Sequence, residues 1–224
     1  HRDLHSFPTR RSSDLLLDKT LENKIKLAKE QGISKVKIFS NGSLLTPERA
    51  TKIIESGLDE IKISVDGATK EEFESIRKPL KFDVVINNIF ELVKIRNSMK
   101  SKMRIIVNCV STSDKNKTML NLQKAVDGFS FGKIHNWTDG EFSKPGGIRK
   151  PCPRLFNSFT VLVNGDISLC CLDYQGSQIL GHLDEKTTIH QIWHSLSYQN
   201  VRKLHKTCQH SKLPICNECS KAFI

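Results

Sequence analysis

No apolar run in this 224-residue sequence approaches the roughly 20 residues that a membrane-spanning helix needs. The start lacks the basic head, apolar stretch and small-residue cleavage site of a secretory leader. Cysteine is scarce early: Cys109 stands alone, and the other six of the seven follow from Cys152 onward. An odd, clustered set argues against a secreted disulfide framework. It fits a reducing, cytoplasmic setting with metal-bound thiolates. No internal repeat is visible. The lysines behind the net charge of +11 are scattered, and no basic stripe is interleaved with aromatics, which make up 7% of the chain. The charge therefore reads as a solvated surface rather than a nucleic-acid face. No membrane partner is expected.

What is present fits a globular protein, with 38% hydrophobic and 26% charged residues. The length suits one large domain, or a medium domain and a small one. Residues 1–15 look foreign: Ser6-Phe7-Pro8-Thr9-Arg10-Arg11-Ser12-Ser13-Asp14-Leu15 resembles the translation of a short-read sequencing adapter, a kind of scar set aside in fold reasoning. Removing 1–15 leaves a net charge of +10, because three Arg and two Asp go with it.

From Leu17 on, helical and strand patterns alternate. Leu21, Ile25, Leu27 and Ala28 have amphipathic helical spacing, ended by Gly32. Lys35 to Phe39 alternates as a strand. Thr46-Pro47 reads as an N-cap and first helical residue. Ile61 to Val65 is a second strand, and Thr69 opens a short helix. Asp83 to Met99 is a longer helix with Val84, Ile86, Ile89, Phe90 and Val93 near one face. Met103 to Val110 is a third strand, Asp114 to Val126 a helix, and Lys133-Ile134-His135 a fourth strand. Such alternation predicts an α/β fold with an open parallel sheet. Four strands are too few for a closed eight-stranded barrel, so the expectation is a partial (β/α) barrel. A linker signal runs from Thr138 to Gly147. Beyond it, Phe159–Val163 and Asp166–Leu169 flank Asn164-Gly165 as a hairpin, and Thr187 to Lys206 reads as one helix.

The chemistry concentrates at the end. Cys152 is followed by twelve residues and Gly165, then four more and the pair Cys170-Cys171. Cys208 and Cys216-Asn217-Glu218-Cys219 come later. Cys152, Cys170, Cys216 and Cys219 are candidate metal ligands for one centre, iron–sulfur or zinc, since both take four thiolates. Cys171 points to the opposite face of a continuing strand from Cys170. Cys208 and His210 are further candidates. Cys109, on a strand, reads as a core thiol.

This pattern, with Cys152-Pro153-Arg154-Leu155-Phe156, Val163-Asn164-Gly165-Asp166-Ile167, Cys170-Cys171-Leu172-Asp173 and Pro214 before Cys216, resembles the SPASM domain of radical S-adenosylmethionine (radical SAM) enzymes. Phe39-Ser40-Asn41-Gly42 resembles that superfamily's Thr-Asn-Gly segment, and Ile61 to Gly67 its Ser-x-Asp strand end. Lys133 to Trp137 resembles its last barrel strand. Asn41, Ser64 and Asp66 follow apolar strands, where ligands of parallel α/β folds bind. The resemblance makes them candidate cofactor-binding residues for S-adenosylmethionine; by themselves, Asn41-Gly42 and Asp66-Gly67 equally read as turns.

The resemblance implies a partial radical SAM core over 16–140 and a SPASM-like iron–sulfur domain over 148–224. It implies a [4Fe–4S] cluster and S-adenosylmethionine as cofactors, and a reductant protein as partner. The substrate would be a peptide, a protein or a small metabolite. Two departures stand out. The superfamily's CxxxCxxC is absent, as is its Gly-Gly-Glu-Pro stretch, so the chain is expected to be N-terminally truncated and inactive as it stands. The pattern's further cysteines after Cys219 are absent as well, which implies a single-cluster version or a shortened C-terminus. The alternative is a zinc-stabilised binding module on an α/β scaffold, one that would take nucleic acid through its positive charge.

Overall fold

The computed structural model describes residues 14–67, 69–110, 122–132 and 150–219. The chain divides into two compact units, 1–134 and 135–224.

The first unit is built on β1 (Lys37–Ser40), β2 (Glu60–Ser64), β3 (Arg104–Val110) and β4 (Gly128–Gly132). All three strand pairs are parallel, in the order β1-β2-β3-β4. Between them run α1 (Leu21–Glu30, ahead of β1), α2 (Pro47–Glu55), α3 (Lys70–Ile76) and α4 (Phe82–Ser98). Each new strand adds on the same side of the last. With right-handed crossovers this winding puts the connecting helices on one face, as in a barrel wall. The sequence-derived α/β class with an open parallel sheet is therefore the observed one.

The helix-facing side of the sheet carries Ile38, Ile61, Ile63, Ile105 and Val107, all buried in one core with Ile53, Val85, Ile89 and Leu92. Period-2 alternation sends their neighbours to the other face. There Phe39 is exposed, and Lys62 Nζ lies 5.6 Å over its ring. Register aligns Ser64 with Asn108 on β3, and Asn108 with Ser130 on β4. A polar row thus crosses three strands near their carboxyl ends. Toward the other end, Glu60 is buried between Lys37 (3.2 Å), Arg104 (3.1 Å) and Lys35 (3.6 Å). Burial works to raise its pKa, but Lys37 and then Lys35 and Arg104 outweigh it and hold the carboxylate below its ordinary value.

Several local expectations shift. Strand β4 is Gly128-Phe129-Ser130-Phe131-Gly132, ahead of the expected Lys133–His135, which lies outside the described residues. Flanking glycines disguise it as a turn, although Phe129 and Phe131 alternate. The buried face of α4 is Val85, Ile89, Leu92, Val93 and Arg96, while Val84 and Phe90 are exposed. Arg96 explains the offset: its guanidinium bonds Asp127 and the Met103 carbonyl, so a charged residue holds a core-facing position. Leu27 of α1 is also exposed. Thr46 caps α2 as expected, accepting from Arg49 N at 3.3 Å with Pro47 first in the helix. Most of the helix expected from Asp114, and the linker at 138–147, fall outside the described residues. So do 1–13 of the adapter-like segment. Its last two residues, Asp14 and Leu15, are part of the fold, with Asp14 buried and capping a 3-10 turn at Leu15–Leu17.

The second unit holds an antiparallel sheet of β5 (Thr160–Val161), β6 (Asp166–Ser168) and β7 (Ile179–His182). The hairpin connection is three residues rather than the two of an Asn-Gly turn. Leu162 N donates to Asp166 O, and Gly165 N to Leu162 O. Gly165 takes the left-handed position, φ +89°, and a Cβ there would stand 2.8 Å from the Leu183 carbonyl oxygen. Helices α5 (Arg154–Asn157), α6 (Ile189–Trp193), α7 (Leu196–Lys206) and α8 (Pro214–Glu218) surround it. The single helix expected over 187–206 is two. Ser195 breaks it by accepting from Tyr198 N as the cap of α7, while Thr188 and Gln191 form a capping box on α6. Arg202 of α7 donates to the carbonyls of Leu155 and Trp193, both at 2.8 Å. Its guanidinium lies 4.0 Å over the Trp193 ring. Leu155, Ile167, Leu180, Ile192, Tyr198 and Val201 form the core of this unit.

Gly67 follows β2 at φ +100°, and a Cβ there would lie 2.6 Å from Phe73 N, at the start of α3. Gly67→Ala is expected to destabilise the first unit by at least about 1–3 kcal/mol through strain alone. Urea unfolding followed by circular dichroism checks this; an unchanged midpoint contradicts it.

Candidate functional site

Because every strand of the first sheet is parallel, Asn41, Ser64 and Asp66 share its carboxyl-end rim. They are in different states there. Asn41 sits in a pinned turn. Its backbone N–H donates to Asp14 Oδ2 at 3.1 Å, and its Oδ1 accepts from Ser43 N at 2.9 Å. Ser40 Oγ donates to the same Asp14 oxygen and accepts from Gly42 N. From α4, Asn88 Nδ2 donates to the Gly42 carbonyl at 2.8 Å. Ser64 is half-buried at the end of β2, in line with Asn108 and Ser130.

Asp66 lies deeper, 1% exposed. Both Arg77 Nε, at 2.6 Å, and Arg77 Nη2 approach its Oδ2. A guanidinium fork on a carboxylate is a charge-assisted pair that fixes orientation. Asp66 therefore anchors the loop between β2 and α3. Cys109, as expected, is a core thiol. Burial and the nearby Asp66 charge push it up to about 12, with Arg77 opposing.

The candidate metal ligands lie in the second unit. Cys216 and Cys219 are buried, Cys152 and Cys170 half-buried, Cys171 and Cys208 exposed. Cys170 follows β6 on a loop organised by Asp173. That carboxylate accepts from Ser177 N (2.8 Å), Ser177 Oγ (2.7 Å) and Gln178 N (3.0 Å). Ser168 Oγ lies 3.0 Å from its Oδ2. The loop turns the backbone N–H groups of Leu172 and Asp173 toward the Cys170 sulfur. Burial nevertheless leaves that thiol above its ordinary pKa. N–H groups aimed at a buried sulfur are the surroundings in which a metal-bound thiolate is stabilised.

A second junction joins Cys152 and Cys216 through the fully buried His205 of α7. Cys152 N donates to His205 Nδ1 at 3.3 Å, and His205 Nε2 lies 3.3 Å from Cys216 Sγ. Among the described residues no group of three or more His, Cys, Asp or Glu is gathered tightly enough to hold a metal ion. The four sulfurs expected at one centre are thus not gathered there among the described residues: Cys152 and Cys216 meet at His205, and Cys170 stands on its own loop. The donor set suits iron–sulfur or zinc: four cysteines with N–H donors around at least two sulfurs.

Sequence reading missed Asp14, Arg77, Asn88, Asp173 and His205. The first four anchor loops, Asp14 and Asn88 across long stretches of chain, and only a placed backbone reveals them. His205 had a signal, an isolated histidine between Leu204 and Lys206 on a helix leading into cysteines.

Two outcomes are expected. Arg77→Ala leaves the Asp66 carboxylate buried without its guanidinium, at a cost of about 3–5 kcal/mol; denaturant unfolding against the parent chain reads this. In native protein at pH 8, iodoacetamide should modify Cys171 and Cys208 within minutes and leave Cys109 untouched until the chain unfolds, as peptide mass spectrometry would show.

Residues 152–220 match the family model of SPASM, an iron–sulfur cluster-binding domain. No curated protein matches the chain. Among solved structures, BtrN in complex with AdoMet and 2-DOIA aligns with TM-score 0.57 at 19% identity, covering 92% of this chain and 68% of BtrN. SuiB of Streptococcus suis bound to S-adenosylmethionine aligns with TM-score 0.57 at 14% identity, covering 85% of this chain and 55% of SuiB. A further SuiB structure gives 0.60 at 12% identity. At such identities the likeness is one of fold alone. Residues 152–220 thus resemble an iron–sulfur cluster-binding domain, and the chain shares its fold with proteins solved with S-adenosylmethionine bound.

Proposed function

We propose that this chain is part of a radical SAM enzyme, and that its C-terminal unit binds an auxiliary [4Fe–4S] cluster through Cys152, Cys170, Cys216 and Cys219. The observation that carries the reading is the SPASM match at 152–220, placed after a parallel α/β sheet of the kind found in BtrN and SuiB. It favours iron–sulfur over the zinc alternative.

S-adenosylmethionine would lie at the strand carboxyl ends, against Asn41 and Ser64. Ser64 offers a half-buried hydroxyl there. Asn41 has its Oδ1 committed to the turn and offers its amide N–H groups. Asp66, held by Arg77, shapes the rim from behind. When bound and reduced, a core cluster of this superfamily supplies the electron that cleaves S-adenosylmethionine. This chain's part is to orient the ligand and exclude water. Its partners would be a reductant protein and a substrate that is a peptide, a protein or a small metabolite. The 224 residues contain no CxxxCxxC, so the chain alone is proposed to be inactive in that cleavage.

Anaerobic reconstitution with iron and sulfide tests the reading. About four iron and four sulfide per chain are expected, with a visible charge-transfer band. Cys216→Ser and Cys219→Ser should lose most of it, and Cys109→Ser should keep it. Zinc alone after purification and reconstitution contradicts the cluster. With reductant and S-adenosylmethionine the reconstituted chain should release no 5′-deoxyadenosine; one equivalent or more would overturn the inactivity.

A further inference from the structure

The junction at His205 does more than pack a core. Its ring is wholly buried, on the inner face of α7 with Tyr198 and Val201. Nδ1 accepts a backbone N–H, that of Cys152. A nitrogen that accepts carries no proton, so the neutral ring bears its proton on Nε2. Nε2 is the atom 3.3 Å from Cys216 Sγ. The tautomer is thereby set by one candidate ligand's backbone, and the N–H is aimed at another candidate ligand's sulfur. The two cysteines are 64 residues apart in sequence, and one imidazole ties them.

We infer that His205 is a positioning residue for the auxiliary cluster: its Nε2–H donates to the Cys216 sulfur and tunes the cluster's reduction potential, while its Nδ1 fixes the Cys152 loop as part of the same ligand set. The inference rests on the proposed iron–sulfur site. An N–H donor withdraws electron density from a ligating sulfur and so favours the reduced cluster, and hydrogen bonds to sulfur are among the factors that set such potentials. Partners in this outer shell typically change metal affinity 10- to 100-fold when removed. The effect needs no change in ligand identity, so it differs from replacing a cysteine.

The test compares reconstituted wild-type chain with His205→Gln and His205→Leu. A glutamine amide nitrogen reaches about where Nε2 sits and still donates to sulfur; leucine fills the space without a donor. Circular dichroism and thermal melts report folding, iron and sulfide content reports loading, and an electron-paramagnetic-resonance redox titration reports potential. The expected result is a cluster in His205→Gln near the wild-type potential. In His205→Leu, either the potential falls by a tenfold or larger change in the reduction equilibrium, about 59 mV for one electron, or the folded chain loses the cluster. Equal potentials and loading in all three overturn the role of His205 and leave the cluster reading intact. Loss of loading in both variants, or misfolding of both, overturns the role of the Nε2–H, because burial or the Nδ1 acceptor, which both variants lack, would then matter instead. A wild-type chain that takes up no iron and sulfide overturns the cluster reading itself, and this inference with it.

Discussion

Buried backbone N–H groups at the ends of strands must find acceptors, and in this protein short carboxylates supply them. A donor left unpaired away from water costs about as much as the hydrogen bond it lacks. Asp14 takes the Asn41 N–H beyond β1. Asp127 takes Ile105 N, early in β3. Asp59 takes Val36 N, ahead of β1. In the second unit Asp173 takes the N–H groups of Ser177 and Gln178 beyond β6. Each of these carboxylates also meets a cation or a hydroxyl: Ser40 at Asp14, Arg96 at Asp127, Lys29 at Asp59, and Ser168 with Ser177 at Asp173.

That constraint determines what each rim offers. Where the loop is held by its own polar groups, a neighbouring side chain is left outside that network. Ser64 is in that position because Asp66 and Arg77 hold the following loop. Cys170 is in that position because Asp173 and Ser168 hold the loop around it. Both units therefore use a buried acid to present a neighbouring group, although their sheets are of opposite kinds.

The α/β class and most element positions were legible because burial imposes period on sequence. Thr46-Pro47 announced a helix start, and Ile61 to Ser64 a strand, since capping and alternation are local physics. Strand β4 was not read at Gly128–Gly132, because glycines flank its two phenylalanines and pairing with β3, some twenty residues away, decides it. The break before α7 was written in Ser195, but a serine caps a helix or sits within one depending on what packs nearby. The cysteine framework was legible as spacing. Its supports were not: Asp173 and His205 act through contacts that no spacing encodes, as Arg77 does for Asp66 in the first unit.

Trp193 is one of only two tryptophans in the chain. Its indole packs at 5.2 Å from the Tyr198 ring and 6.1 Å from Phe159, beneath the Arg202 guanidinium. A cation over one face and aromatic rings around it give that fluorophore surroundings quite unlike water. The emission of Trp193 is therefore an intrinsic optical gauge of whether α6 and α7 hold together. It reads the integrity of the cysteine-bearing unit before any cluster has been loaded, and without a label.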